Sequence, residues 1–118
     1  MAALQSPAQP GDRLSGRSGP ATAELDALLE RAVVHHQAGR LDEAQRHYRT
    51  ILEQSPNHPE GNHNRGVLML GLDRPAAALD YLKRALEGAP GQRQYWLSYA
   101  EALMRAGHHE AARQLVGE

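Results

Sequence analysis

The chain repeats itself with a period of 34 residues: that displacement places Ala44 on Ala78 and Ala112, Ala32 on Gly66 and Ala100, Gly39 on Asp73 and Gly107, and Pro56 on Pro90. A fixed period of this length restricts the fold severely, because one such unit cannot bury its apolar face alone and must stack on its neighbours. The same displacement puts Tyr48 on Leu82 and Val116, Leu52 on Leu86, and Arg40 on Arg74. These columns have a mechanical meaning. Small residues at Ala32, Gly66 and Ala100, and at Ala44, Ala78 and Ala112, let two antiparallel helices approach closely. Larger residues four places on, Tyr48, Leu82 and Val116, fill the groove beside that contact. Gly39 and Gly107 predict helix ends that need a positive φ, and Pro56 and Pro90 cannot continue the helices before them. Each period is therefore expected to be a helical hairpin with a tight internal turn.

From Ala21 onward Ala, Leu, Glu, Arg and Gln dominate, all good helix formers, and no stretch alternates apolar and polar residues as a half-buried strand does. The predicted class is all-α, an α-solenoid of six helices over 22–38, 42–54, 59–71, 75–88, 92–106 and 109–117. Asp42 and Glu43 suit a first turn, where the helix dipole favours anions, and Pro75 suits a helix start. Residues 1–20 hold three prolines, three glycines and three serines with only Leu4 and Leu14 as large aliphatics. Such a segment cannot bury enough apolar surface to offset its ordering entropy, so a disordered tail is expected there and a helical domain over 21–118.

Composition narrows function by exclusion. Thirteen Lys plus Arg against fourteen Asp plus Glu give a formal charge of -1, which provides no basic footprint for nucleic acid or an anionic membrane. The absence of cysteine excludes disulfides, thiolate nucleophiles and zinc ribbons. No apolar run approaches the ~20 residues of a membrane span, and the start lacks the basic and apolar regions of a secretory signal. A cytoplasmic location is the expectation.

On the repeated residues, the sequence resembles the tetratricopeptide repeat. The first unit, about 25–58, reads Leu28, Arg31-Ala32, His35, Ala44, Tyr48 and Pro56; the second, about 59–92, reads Asn62, Arg65-Gly66, Met69, Ala78, Leu82 and Pro90; the third, about 93–118, reads Trp96, Tyr99-Ala100, Leu103, Ala112 and Val116. Arg31 and Arg65 stand where the family usually has leucine, and Asn62 where it has a bulky residue. The arginine stems are expected to lie along the seam with their heads in water.

The sequence carries no catalytic or cofactor signature. His108-His109-Glu110 lacks the second histidine of a metalloprotease helix, since Arg113 stands there. His36, His58 and His63 are the histidines to weigh as metal ligands, but no carboxylate or thiolate completes a set. No glycine-rich phosphate loop, nucleophile elbow or dinucleotide fingerprint occurs. The expectation is a non-enzyme with no cofactor and no metal.

The resemblance implies a concave groove lined by the first helix of each hairpin, which carried over residue by residue gives Leu29, Val33, His36, His63, Asn64, Val67, Leu70, Leu97, Glu101, Met104 and Arg105. Leu29, Val33, Val67, Leu70, Leu97 and Met104 would form an exposed apolar strip. Family modules that clamp acidic C-terminal tails of heat-shock chaperones use lysine, asparagine and arginine in columns that here hold Leu29, Val33, Asn64, Gln94 and Ser98, so a carboxylate clamp is not expected. Asn64 also matches the asparagine ladder of O-linked N-acetylglucosamine transferases, but Glu30 and Ser98 break that ladder.

The implied function is a non-catalytic interaction module that binds a protein or peptide partner, with arginine preferred over lysine as in bacterial sequences from GC-rich genomes. The alternative is the substrate-recruiting region of a larger enzyme. Gly39-Arg40-Leu41-Asp42-Glu43-Ala44 and Asn57-His58-Pro59 resemble arrays preceding bacterial glycosyltransferase, sulfotransferase or hydroxylase domains. Neither nucleic acid nor membrane is an expected partner. Trp96, Tyr99, Leu103, Leu115 and Val116 should leave an uncovered face on the last unit, for which a homodimer through the third repeat is one solution and docking on a downstream domain another.

Overall fold

The computed structural model describes residues 20–115 and Gly117; the expected tail, apart from Pro20, and Val116 lie outside the described residues. Six helices follow in order among the described residues: α1 (Pro20–Gln37), α2 (Leu41–Gln54), α3 (Pro59–Gly71), α4 (Pro75–Gly88), α5 (Arg93–Arg105) and α6 (His109–Leu115). α1 starts at Pro20 rather than at 22, because proline's fixed φ and missing amide suit the first helical position. α5 is one residue shorter at each end than expected, within the fraying of helix ends. No helix among the described residues is long and apolar enough to cross a membrane.

The turns inside the three hairpins are copies of one device. Gly39, Asp73 and Gly107 have φ of 81°, 60° and 90°. After each, an amide returns to a carbonyl five residues back: Arg40 N donates to His35 O at 2.8 Å, Arg74 N to Met69 O at 2.9 Å, and His108 N to Leu103 O at 2.7 Å. This is the Schellman closure that satisfies otherwise orphaned helix-end carbonyls. The two glycines were expected to do this; Asp73 does it too, aspartate being among the few side chains that tolerate the left-handed region.

α1 packs on α2 and α3 on α4 within hairpins, while α2 meets α3 and α4 meets α5 between them. Ala32, Ala44, Tyr48, Ile51, Leu68, Ala78, Leu82 and Ala102 are fully buried. The small-residue column is used to its limit at Gly66, where a Cβ would stand 2.6 Å from Leu82 Cγ. Val34 shows what stacking accomplishes. It shares a column with Leu68 and Ala102, which are fully buried, yet it is 57% exposed because no described helix precedes α1.

The uncovered face expected on the third unit is smaller than the sequence implied. Leu103 is buried, and Trp96 and Tyr99 are half-buried against a second core cluster of Ala85, Leu86 and Tyr95. Arg31 is exposed as expected, whereas the Arg65 head is only partly in water: its guanidinium carbon lies 4.8 Å from the centroid of Tyr81 and its Nε is buried.

Ala78 touches neighbours on all sides, so Ala78→Leu overpacks the second hairpin and should cost about 1–3 kcal/mol. A urea midpoint lowered accordingly is expected; an unchanged midpoint would refute the packing described.

Candidate functional site

Because α3 contacts both α1 and α5, the first helices of the hairpins lie side by side and form one face. The expected groove residues divide sharply on it. Leu29, His63 and Leu70 are buried, whereas His36, Val33, Asn64 and Val67 are half-buried. Leu97 and Met104 are 47% and 50% exposed, accompanied by exposed Glu101 and Arg105. The continuous apolar strip expected from sequence is therefore interrupted. The reason lies in the repeat itself: Leu97 shares a column with Leu29 and His63, and Met104 shares one with His36 and Leu70. These columns face the next unit's first helix. α5 covers His63 and Leu70, while no described helix covers Leu97 and Met104.

Polar side chains pin these seams. His63 Nε2 is hydrogen-bonded to Ser98 Oγ at 2.8 Å, its Nδ1 lies 3.3 Å from Asn64 Oδ1, and its ring stacks on Tyr95 at 4.5 Å. In the first hairpin, His36 Nδ1 is hydrogen-bonded to the Tyr48 hydroxyl at 3.0 Å. Arg105 donates to Leu70 O at 3.0 Å and to Asp73 Oδ1 at 3.2 Å, and so ties α5 to the end of α3. A serine 2.8 Å from an imidazole has the spacing of a nucleophile and its base. Here both groups are buried mid-helix, where backbone amides are engaged in the helix and none is left to stabilise an oxyanion. The pair joins two repeats.

The histidines weighed as metal ligands have separate partners. His58 Nδ1 accepts the Gly61 amide at 2.9 Å and caps α3, while His36 and His63 make the bonds above. No group of three His, Cys, Asp or Glu side chains is placed to hold a metal ion among the described residues.

Asn62 supplies a tie that residue-type reasoning missed. Its Nδ2 donates to Pro56 O at 3.0 Å, just as Trp96 Nε1 donates to Pro90 O at 2.7 Å one period later. The substitution removes the aromatic ring but keeps the donor. Aligning Asn62 with Trp96 as N–H donors, rather than as large and small side chains, was the available signal.

Burial moves the titrating groups of this face away from their charged forms. The His63 pKa is lowered chiefly by burial, opposed by Asn64 and by the Glu60 carboxylate, and that of His36 is lowered by burial. The Tyr48 hydroxyl is pushed up to about 12 by burial and by Glu60, and Tyr95 is raised for the same reasons.

The chain matches the family described as tetratricopeptide repeat over residues 23–91 and again over residues 69–118. It is also similar to the protein O-mannosyl-transferase Tmtc2 of Drosophila melanogaster, 40% identical over 76 residues that make up 60% of this chain and 8% of that protein. The chain thus spans less than a tenth of the length of this curated relative.

The lowered histidine pKa values set a sign for pH dependence. The native state binds fewer protons than the unfolded chain below the ordinary histidine pKa of about 6.5, so stability is full above that pH and falls with acidification until the folded-state values are passed. The urea midpoint should be lower at about pH 5 than at about pH 7.5, and His63→Gln should narrow the difference. Equal midpoints at the two pH values would contradict the buried neutral histidine.

Proposed function

Because the chain belongs to the tetratricopeptide repeat family, we propose that it is a non-catalytic interaction module that docks a peptide or helix of a protein partner against the exposed stripe of α5. Members of such arrays act as scaffolds by presenting helix faces, and the observation that carries the reading here is the exposure of Leu97 and Met104. Their counterparts Leu29, His63 and Leu70 are buried and His36 is half-buried, so the stripe has the geometry of a seam that accepts one more helix. Glu101 and Arg105 flank it and provide a polar rim, the arrangement by which apolar anchors give affinity and charges fix register. The partner segment is expected to carry apolar residues at helical spacing. The lack of cysteine supports a reducing compartment such as the cytoplasm.

A second reading is favoured by the transferase relative, in which the matched region is 8% of the protein. On that reading the repeats recruit substrate for a larger enzyme, and the same α5 stripe holds either the substrate protein or an adjoining domain. Sequencing the reading frame beyond Glu118 separates the two.

A displayed peptide library selected on the full chain should enrich apolar-anchored helical sequences. The double variant Leu97→Glu with Met104→Glu should weaken their binding by at least about tenfold, since burying each anchor is worth about 1.5–3 kcal/mol, with little change in melting temperature. Binding undiminished by the double variant would overturn the assignment of the stripe.

A further inference from the structure

On the other side of α3, a pocket of about 220 Å³ opens between the first two hairpins, lined in part by Arg49, Glu53, Arg65, Tyr81 and Arg84. Arg65 lies midway between His63 and Val67 in sequence, and two residues turn a helix by about 200°, which places this pocket away from the seam residues of α3. Arginine comes from three helices: Arg49 from α2, Arg65 from α3 and Arg84 from α4. Three arginines and one glutamate among the lining residues, three minus one, give the lining a formal charge of +2 in a chain whose formal charge is -1. Among the described residues none of the three arginines forms an ion pair, all such pairs being made by Arg105 and Arg113. Arg65 is held over the Tyr81 ring, and its buried Nε has no hydrogen-bond partner. A guanidinium fixed on an aromatic face by its ring contact and buried Nε keeps its two terminal amino groups for an oxyanion and is preorganised to bind one.

We infer that this pocket binds a phosphate monoester. The ligand class follows from charge, geometry and size. A phosphate monoester carries close to two negative charges at neutral pH, matching the net charge of the lining, and its oxygens accept bidentately from arginine forks. The volume lies below the ~300 Å³ at which pockets begin to enclose drug-sized molecules, so the site has room for a phosphate and a short part of the group that carries it. Glu53 opposes the ligand and holds affinity down. The pocket is independent of the α5 stripe, and failure of one assignment leaves the other standing.

The test follows arginine side-chain and backbone amide signals of the full chain by NMR during titration with inorganic phosphate, O-phosphoserine and a peptide containing phosphoserine, with acetate at matched ionic strength as control. Saturable shifts of Arg49, Arg65, Arg84 and Tyr81 with the phosphates, and weaker ones with acetate, are expected. Arg84→Gln and Arg65→Lys should each lower phosphate affinity about tenfold or more, and Glu53→Gln should raise it about twofold or more, at unchanged melting temperature. Tighter binding of the peptide than of free O-phosphoserine identifies a protein-borne phosphate as the source; equal binding identifies a free phosphate monoester. Shifts that do not saturate, that acetate reproduces, or that survive both arginine variants would overturn the proposal.

Discussion

Everything else in this structure depends on how closely the two helices of a hairpin approach. At the centre of the molecule Leu82 packs against Gly66 so tightly that a Cβ on Gly66 would lie 2.6 Å from its Cγ. That contact fixes α3 on α4, the most extensive pairing among the described helices, and thereby aims the α3 face at α1 and α5. Ala32 and Ala44 with Tyr48 do the same for the first hairpin, all fully buried. Interiors packed to crystal-like density do not deform continuously, so the small-residue column acts as a spacer that sets the geometry of stacking.

Polar bonds then select one register for that stacking. Hydrophobic contact between helices is tolerant of sliding, whereas a buried donor without its acceptor costs about 1–3 kcal/mol. That cost bears on the buried His63–Ser98 bond and the part-buried bonds of Asn62 to Pro56 and of Arg105 to Leu70, while the exposed bonds of Arg105 to Asp73, in the turn after α3, and of Trp96 to Pro90 add less. Asp73 serves twice, adopting the left-handed turn at 60° and accepting from Arg105. A glycine there would relieve the backbone and lose the tie.

The hairpins were legible in the sequence because each depends on local chemistry: glycine at a positive φ, proline after a helix, and a small residue opposite a large one. The 34-residue columns carried that information for every turn, including the one made by Asp73. The binding face was legible only in part. Leu29, His63 and Leu97 occupy one column, and nothing in their chemistry says which is covered; that is decided by which of them a described helix packs on. His63 would read as a groove ligand from its position, yet its neighbours Ser98 and Tyr95 lie 35 and 32 residues further along the chain (98 − 63 and 95 − 63) and turn it into a seam residue. The arginine pocket was hidden for the same reason, since Arg49, Arg65 and Arg84 belong to three helices.

The dependence of the fold on the Gly66–Leu82 contact is measured most directly by a double-mutant cycle in urea. Alanine is the better helix former by about 1 kcal/mol, so Gly66→Ala should stabilise the chain once Leu82→Ala has made room. In the presence of Leu82 the same substitution must push that side chain aside, and the gain should vanish or reverse. The account predicts a coupling of about 1–3 kcal/mol between the two positions. Equal effects of Gly66→Ala with and without Leu82 would contradict it.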